Sequence, residues 1–154
     1  MKTMISAAFA VSLSLCAQLP ASAADKATAD EAVAMTKKAV AYLKENGREK
    51  AFADFSNPAN TAFHDRDLYV YVYDLHGVSL AHGVNPKMVG RNLLEMRDGE
   101  GKYIVKSFIE TANSPAGKGW VEYKWPNPVT KAVDAKAGYV EKSGDLIIGS
   151  GIYK

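Results

Sequence analysis

One short run towards the C-terminal end of the chain constrains the fold more than any other, and it reads Gly119-Trp120-Val121-Glu122-Tyr123-Lys124-Trp125-Pro126. Its side chains alternate in character every second residue, which is the pattern of a half-buried β-strand. One face would carry Val121, Tyr123 and Trp125, and the other Trp120, Glu122 and Lys124. Tyrosine and tryptophan combine an apolar ring with one hydrogen-bonding tip, so these rings suit either the wall of a small-ligand pocket or the filling of a core.

The first 24 residues are organised like a secretory signal peptide. Lys2 supplies a positive charge, an apolar stretch covers 4–15, and Ala21-Ser22-Ala23 forms a small-residue cleavage site. The apolar stretch is shorter than the ~20 residues that span a bilayer. The sequence therefore predicts a signal peptide over 1–24, cleaved near Ala23 or Ala24, and a periplasmic or secreted product. An uncleaved membrane anchor is the alternative.

The mature chain, 25–154, has the size of one domain with a substantial core. The whole chain has 19 basic and 17 acidic residues, and the signal peptide removes one basic residue, Lys2, together with the chain's one cysteine, Cys16. Because the remainder is almost neutral, nucleic acid is not expected as a partner. A chain without cysteine forms no disulfide and no thiolate site. The three histidines lack paired-ligand spacing, so we expect no metal, and no motif indicates a cofactor.

Helix and strand patterns follow one another in an order typical of an α+β fold. A capping box at Thr28-Ala29-Asp30-Glu31 predicts a long helix that ends at Asn46-Gly47. The further predicted elements are a helix over 49–55, strands over 68–74 and 78–83, a helix over 102–112, and strands over 119–126, 132–142 and 146–153. Short turns between strands predict a five-stranded antiparallel sheet. The N-terminal helix would cover one face, and the central helix and loop would form a roof over the other, with a cavity beneath it.

Six motifs occur in order along the mature chain. They are Tyr71-Val72-Tyr73-Asp74 with Gly77, Ala81-His82-Gly83-Val84-Asn85-Pro86 with Val89-Gly90-Arg91-Asn92, Gly101-Lys102-Tyr103, the 119–126 run, Lys136-Ala137-Gly138-Tyr139-Val140, and Gly149-Ser150-Gly151-Ile152-Tyr153. Together they make 25–154 resemble the single Cache domain, in its second subfamily. The resemblance implies a PAS-like extracytoplasmic sensor fold with a pocket for a small organic ligand. Family members sit in chemoreceptors and sensor kinases, and small carboxylates such as pyruvate are known ligands.

Lys136 and His82 are the two candidate residues that would hydrogen-bond to the carboxylate of an acid. Lys136 shares a strand face with Gly138 and Val140, matches the family's lysine at this motif, and would donate to a carboxylate. An ordinary exposed lysine is the alternative. His82 ends the second strand and would either donate to the acid or make binding sensitive to pH. A structural, hydrogen-bonded histidine is the alternative there.

Five further candidates complete the predicted site. Tyr71, Tyr123 and Trp125 would line the walls, with core packing as the competing role, and Tyr103 would close the cavity from the central helix. Arg91 offers a two-pronged contact to a carboxylate, or it only pins the Gly90 loop to the sheet. No catalytic residue is predicted, since the Gly149-Ser150-Gly151 run has no helix after it and is not a nucleophile elbow.

Three functions remain open at this point. The first is an exported domain that binds a small organic acid, without a signalling domain of its own, and presents the loaded state to a membrane receptor or sensor kinase. The second is a small enzyme of hydrolase or lyase type that uses His82 with a nearby Asp or Glu. The third is a ligand-free interaction module that pairs with a membrane sensor. A homodimer through the N-terminal helix is possible in each case.

Overall fold

The computed structural model describes residues 26–154, and the predicted signal peptide lies outside them. Two helices, α1 (Ala29–Asn46) and α2 (Arg48–Phe55), precede the first strands. The other elements are β1 (His64–Asp65), β2 (Leu68–Tyr69), β3 (Tyr71–Asp74), β4 (Ser79–His82), a 3-10 helix (Pro86–Met88), α3 (Ile104–Ala112), β5 (Lys118–Pro126), β6 (Val133–Ser143) and β7 (Leu146–Tyr153). Across 26–154, no helix has the length and apolar character to cross a membrane.

Five strands form one antiparallel sheet in the order β4-β3-β7-β6-β5, which confirms the predicted α+β class. The capping box is also confirmed: the Glu31 backbone N–H donates to Thr28 Oγ1 at 3.3 Å, and the Thr28 N–H donates to Glu31 Oε2 at 2.7 Å. Gly47 ends α1 with a φ of 78°, a left-handed conformation that glycine adopts without a steric penalty. The N-terminal helix therefore begins and ends where the sequence predicts.

The strand predicted over 68–74 is divided in two. Val70 separates β2, which pairs with β1, from β3, which pairs with β4 and β7. The Val70 N–H donates to Phe63 O at 3.3 Å, while the Gly83 N–H donates to Val70 O at 3.0 Å, so this residue joins the small ribbon to the main sheet. The β1–β2 ribbon was not predicted, because a two-residue strand is too short to show alternation.

The main sheet has two unlike faces, named here the helix face and the roof face. On the helix face, aliphatic strand residues pack with the helical segments; this core includes Leu43, Phe55, Phe63, Val70, Val72, Ala81, Leu146 and Ile148. On the roof face, rings dominate; this core includes Tyr69, Tyr71, Tyr73, Met88, Leu93, Ile104, Val105, Phe108, Val121, Tyr123, Val140 and Ile147. The face predicted to carry Val121, Tyr123 and Trp125 is confirmed, since all three belong to the roof-face core.

The roof is the segment 84–112, and it is fastened to both edges of the sheet. At the β4 edge, the Gly90 N–H donates to Ser79 O at 2.8 Å and the Ser79 N–H donates to Arg91 O at 2.9 Å. At the β5 edge, Asp98 Oδ2 accepts from the Lys124 N–H at 3.0 Å. These hydrogen bonds hold α3 and its preceding loop over the rings.

Candidate functional site

The space between sheet and roof is almost completely filled, contrary to the cavity predicted there. A void of only about 10 Å³ remains among the rings of Tyr69, Tyr71, Phe108, Tyr123 and their neighbours. One water molecule requires at least ~10–15 Å³ of such space, so the void is too small for an organic acid. The roof-face side chains themselves fill the space in which the sequence predicted a ligand cavity.

Three glycines of the roof face explain how the side chains lie so close to the sheet. A Cβ on Gly149 would lie 2.5 Å from Tyr71 Cε2, and a Cβ on Gly138 would lie 2.5 Å from Tyr71 Oη. A Cβ on Gly151 would lie 3.0 Å from Lys136 Cε and 2.5 Å from a backbone oxygen. Separations this short are not tolerated between non-bonded atoms. The glycines therefore form a floor, named here the glycine floor, on which the side chains of Tyr71 and Lys136 rest.

Lys136 lies inside this cluster, so the exposed-lysine alternative is wrong. Its residue is 1% exposed, and its Nζ is 3.9 Å from the ring centre of Tyr69 and 4.6 Å from that of Tyr153. The ammonium donates to Tyr153 Oη at 3.4 Å, and no salt bridge to it forms within 26–154. Burial lowers the pKa of Lys136 well below its ordinary value of 10.5, against the opposing effect of the Asp67 charge. An anion placed here would restore the stability of the charged form.

Asp67 is the acidic residue whose charge Lys136 experiences. It is 3% exposed, and its Oδ1 accepts from the Ala27 N–H at 2.9 Å. Its Oδ2 is buried and accepts no hydrogen bond from the described residues. Sequence reasoning missed Asp67, because its polar neighbours place it in a loop and nothing in the pattern marks it as buried.

His82 is buried and its tautomer follows from its contacts. Its Nδ1 accepts from the Asn85 N–H at 3.1 Å and from the Val84 N–H at 3.4 Å, so the ring proton resides on Nε2. Burial, reinforced by the charge of Lys136, lowers the pKa of His82 to about 3. A pKa this low keeps the imidazole neutral at physiological pH, which favours the donor role of His82 over the pH-sensing role. What it offers is one N–H donor.

The three predicted wall residues belong to one aromatic cluster. Tyr71 stacks on Phe108 with ring centres 5.3 Å apart, and Tyr123 meets the same ring edge-on at 5.4 Å. Trp125 lies 6.1 Å from Tyr123 and 6.3 Å from His82 and is partly exposed. These rings form core and wall at the same time, so the two roles weighed for them are not exclusive.

Tyr103 and Arg91 lie outside the cluster. Tyr103 precedes α3, and its ring lies 4.0 Å from the Arg97 guanidinium and 4.0 Å from Lys106 Nζ rather than over the void. Arg91 is exposed, and only its backbone carbonyl takes part in fastening the roof. The structure therefore favours the loop-pinning role for the Arg91 segment and gives Tyr103 a surface stack instead of a closing role.

A much larger cavity, named here the outer cleft, lies beside the cluster. It has a volume of about 560 Å³ and is lined by Ser56 and Pro58, His64, the segment 82–86, the segment 125–128 and Lys131. His82 and Trp125 line both this cleft and the inner void, so they form the wall between them. The Tyr153 hydroxyl donates to Pro126 O at 2.7 Å, which places Lys136 one hydroxyl away from the cleft wall.

Tyr69 and Tyr153 also belong to the site although they were not selected from the sequence. A signal for each exists. Tyr69 lies two residues before Tyr71, so the period of two places it on the same face as Tyr71 and Tyr73. Tyr153 pairs with Lys136 in the β6–β7 ladder. The tight turn at 144–145 sets that register, since it makes Ser143 and Leu146 partners. Counting back from the turn would have placed Tyr153 beside Lys136.

Solved structures with the same fold define the fold class of this protein, an α+β domain with a five-stranded antiparallel sheet. A methyl-accepting chemotaxis protein from Vibrio parahaemolyticus gives a TM-score of 0.70 at 23% identity, covering 80% of this chain and 86% of that one. A periplasmic sensor domain of a chemotaxis protein gives 0.63 at 26% identity, covering 80% and 88%. A Cache chemosensory domain described for its carboxylic acid recognition gives 0.68 at 22% identity, covering 80% and 91%.

The family follows from sequence. A family model for the Cache domain matches residues 25–154, so the chain belongs to the Cache domain family. The methyl-accepting chemotaxis protein McpP of Pseudomonas putida is 33% identical over 92 residues, which are 58% of this chain and 17% of that protein. The sensor histidine kinase MctS of Rhizobium johnstonii is 31% identical over 90 residues, 57% of this chain and 19% of that protein. The matched segments thus span less than a fifth of these relatives.

Proposed function

We propose that this Cache domain is an exported sensor that binds a small monocarboxylic acid of the pyruvate type, with Lys136 as the group that recognises the carboxylate. The observation that carries the proposal is a buried lysine amino group surrounded by tyrosine rings, with no salt bridge within 26–154. A buried charge is unfavourable unless it is paired. A ligand carboxylate would provide the pairing.

The hydrogen-bonding groups around Lys136 match a carboxylate. Lys136 Nζ donates, and the neutral His82 ring donates from Nε2, because its Nδ1 already accepts from the backbone. A charge-assisted hydrogen bond contributes about 1.5–3 kcal/mol. An acid with the six heavy atoms of pyruvate has a binding ceiling of about 9 kcal/mol at ~1.5 kcal/mol per atom, so micromolar affinity is within reach.

The acid would enter from the outer cleft. Because the inner void of about 10 Å³ is too small, a side chain of the dividing wall must move to admit it. Trp125 is the partly exposed member of that wall, whereas His82 is held by two backbone N–H groups. We therefore propose that Trp125 turns away from the rings when the acid binds.

The enzyme alternative has less support than binding. A general base works best with a pKa near the operating pH, and the pKa of His82 is about 3. No aspartate or glutamate within 26–154 hydrogen-bonds to its imidazole. The relatives with printed functions are a chemotaxis protein and a sensor kinase.

A thermal-shift panel of two- to four-carbon acids, amino acids and amides tests the proposal. An acid at ~100-fold over its Kd adds about 2.7 kcal/mol, which raises the Tm of a domain of this size by roughly 10 °C. Lys136→Met should abolish the response, whereas Lys142→Met, an exposed lysine on the same strand, should keep it. A flat panel would favour the ligand-free interaction module, and turnover of a binding acid would favour the enzyme.

We also propose that the loaded domain acts on a membrane receptor or sensor kinase and pairs with a second copy through α1. The face of α1 away from the sheet exposes Ala34, Lys37, Ala41 and Lys44, whose small side chains at 34 and 41 permit close approach of another helix. Sedimentation equilibrium should show a dimer. A monomer at all concentrations would overturn the pairing.

A further inference from the structure

The outer cleft has a capacity that a pyruvate-sized acid leaves largely unused. Its volume of about 560 Å³ falls in the 300–1,000 Å³ range of clefts that hold drug-sized molecules. It touches the proposed carboxylate site, because His82 and Trp125 line both spaces. A ligand held at Lys136 would therefore have a place into which a longer body can extend.

The walls of the cleft are mostly apolar. Six apolar residues line it: Pro58, Val84, Pro86, Trp125, Pro126 and Pro128. No aspartate or glutamate lies among its described lining residues, and Lys131 adds a cation at the rim. The cleft thus suits an apolar chain attached to an anion, and it contains nothing that repels the anion on entry.

Both walls are held in place by hydrogen bonds of their own. On one side, His82 Nδ1 and the Asn85 side chain accept backbone N–H groups and fix the 82–87 turn. On the other, the Asn127 side chain, which is 4% exposed as a residue, accepts from the Val129 N–H at 2.9 Å and donates to Asp134 Oδ2 at 3.0 Å. Walls that are already ordered require little reorganisation when a ligand binds.

From this geometry we infer that the acid this site favours is a medium-chain or aryl-substituted monocarboxylate. Its carboxylate would meet Lys136 and His82, and its tail would lie in the outer cleft against Trp125 and the proline-lined walls. The inference rests on the proposed function, because it keeps the carboxylate at Lys136 and extends the ligand from a pyruvate-sized acid to a longer one. Each methylene buried in the cleft should tighten binding about fourfold.

Calorimetry with acetate, propionate, butanoate, hexanoate and phenylacetate tests the inference, with 1-hexanol as a control that lacks the carboxylate. The Kd should fall about fourfold per methylene from acetate to hexanoate, and hexanol should bind far more weakly than hexanoate. Pro86→Asn, at an exposed position of the cleft wall, should weaken hexanoate binding more than acetate binding, because the amide reduces apolar contact with a tail and adds no charge to the entry path. Pro115→Asn, at an exposed loop position outside the lining, should behave as the wild type.

The outcomes separate this inference from the function it rests on. If acetate and propionate bind while affinity stays flat or weakens with length, the tail site is wrong and acid recognition stands. If no acid binds, the proposed function is wrong and the inference is overturned with it. If hexanol binds as tightly as hexanoate, the cleft is a purely apolar site and the link to Lys136 is overturned.

Discussion

The two faces of the central sheet are built from the same strands but bury different kinds of side chain. On the helix face, residues such as Val72 and Ile148 pack against apolar partners and are fully buried. On the roof face, the alternate residues of the same strands include Tyr71 and Tyr73, and β6 adds the buried Lys136. One face is an ordinary apolar core, whereas the other encloses a lysine amino group.

The two faces should therefore contribute differently to the free energy of unfolding. Aliphatic burial contributes about 25 cal/mol per Å². A lysine buried without a salt bridge opposes folding, because burial disfavours its charged form. The same effect lowers the pKa of Lys136 in the folded protein. Local rules of packing that hold on the helix face are broken on the roof face, and such departures are expected at functional sites.

The largest expected effect is a truncation on the helix face. Ile148→Ala should lower the free energy of unfolding by about 2–5 kcal/mol, because Ile148 is fully buried among apolar side chains. Urea denaturation measures the loss. Ile152→Ala, at a half-buried position further along the same strand, should lose clearly less. Equal losses at the two positions would show that the helix face is not the main core.

Lys136→Met should act in the opposite direction on the roof face. Replacing buried ionic groups by apolar ones of similar volume often stabilises a protein, by about 1–4 kcal/mol. The pKa of Lys136 is lower when folded than when unfolded, so the wild type should gain stability as pH rises towards the ordinary lysine pKa of 10.5, and the variant should lack that gain. Urea denaturation from pH 6 to pH 10 checks both. A strongly destabilised variant would mean that Lys136 is a structural group.

Gly149→Ala tests the glycine floor beneath the rings. The new Cβ would lie 2.5 Å from Tyr71 Cε2 and 2.7 Å from the Tyr139 carbonyl oxygen, so the ring must shift and about 1–3 kcal/mol of stability should be lost. The Tm and acid affinity should both fall. Gly99→Ala, where no atom lies within 4 Å of the new Cβ, is the matched control. Unchanged acid affinity in Gly149→Ala would show that the glycine floor is not needed for acid binding.

The smallest expected effect comes from Tyr153→Phe. The change deletes the hydroxyl that accepts from Lys136 at 3.4 Å and donates to Pro126 O at 2.7 Å, each a bond of about 0.5–1.5 kcal/mol. Stability should fall by that order, and acid affinity should weaken because Lys136 is held less firmly. A variant with wild-type affinity would show that Tyr153 does not orient Lys136.

The sequence predicts the architecture well and the site only in outline. Caps, turns and alternation are local signals, so the elements, both sheet faces and the burial side of Tyr71 and Tyr123 follow from them. Which side chain fills a space depends instead on packing between distant segments. Packing between distant segments determines the size of the inner void, the burial of Asp67 and the outward position of the Tyr103 ring, so local signals did not predict them.

The titration of Lys136 itself tests the central claim most directly. In protein labelled at its lysine side chains, nuclear magnetic resonance can follow Lys136 from pH 6 to pH 11 with and without pyruvate, with Lys136→Met assigning the signal. A pKa below 10.5 is expected in the free protein, and bound acid should raise it, so affinity should weaken as pH rises. Pyruvate that binds without moving the Lys136 titration would contradict the account.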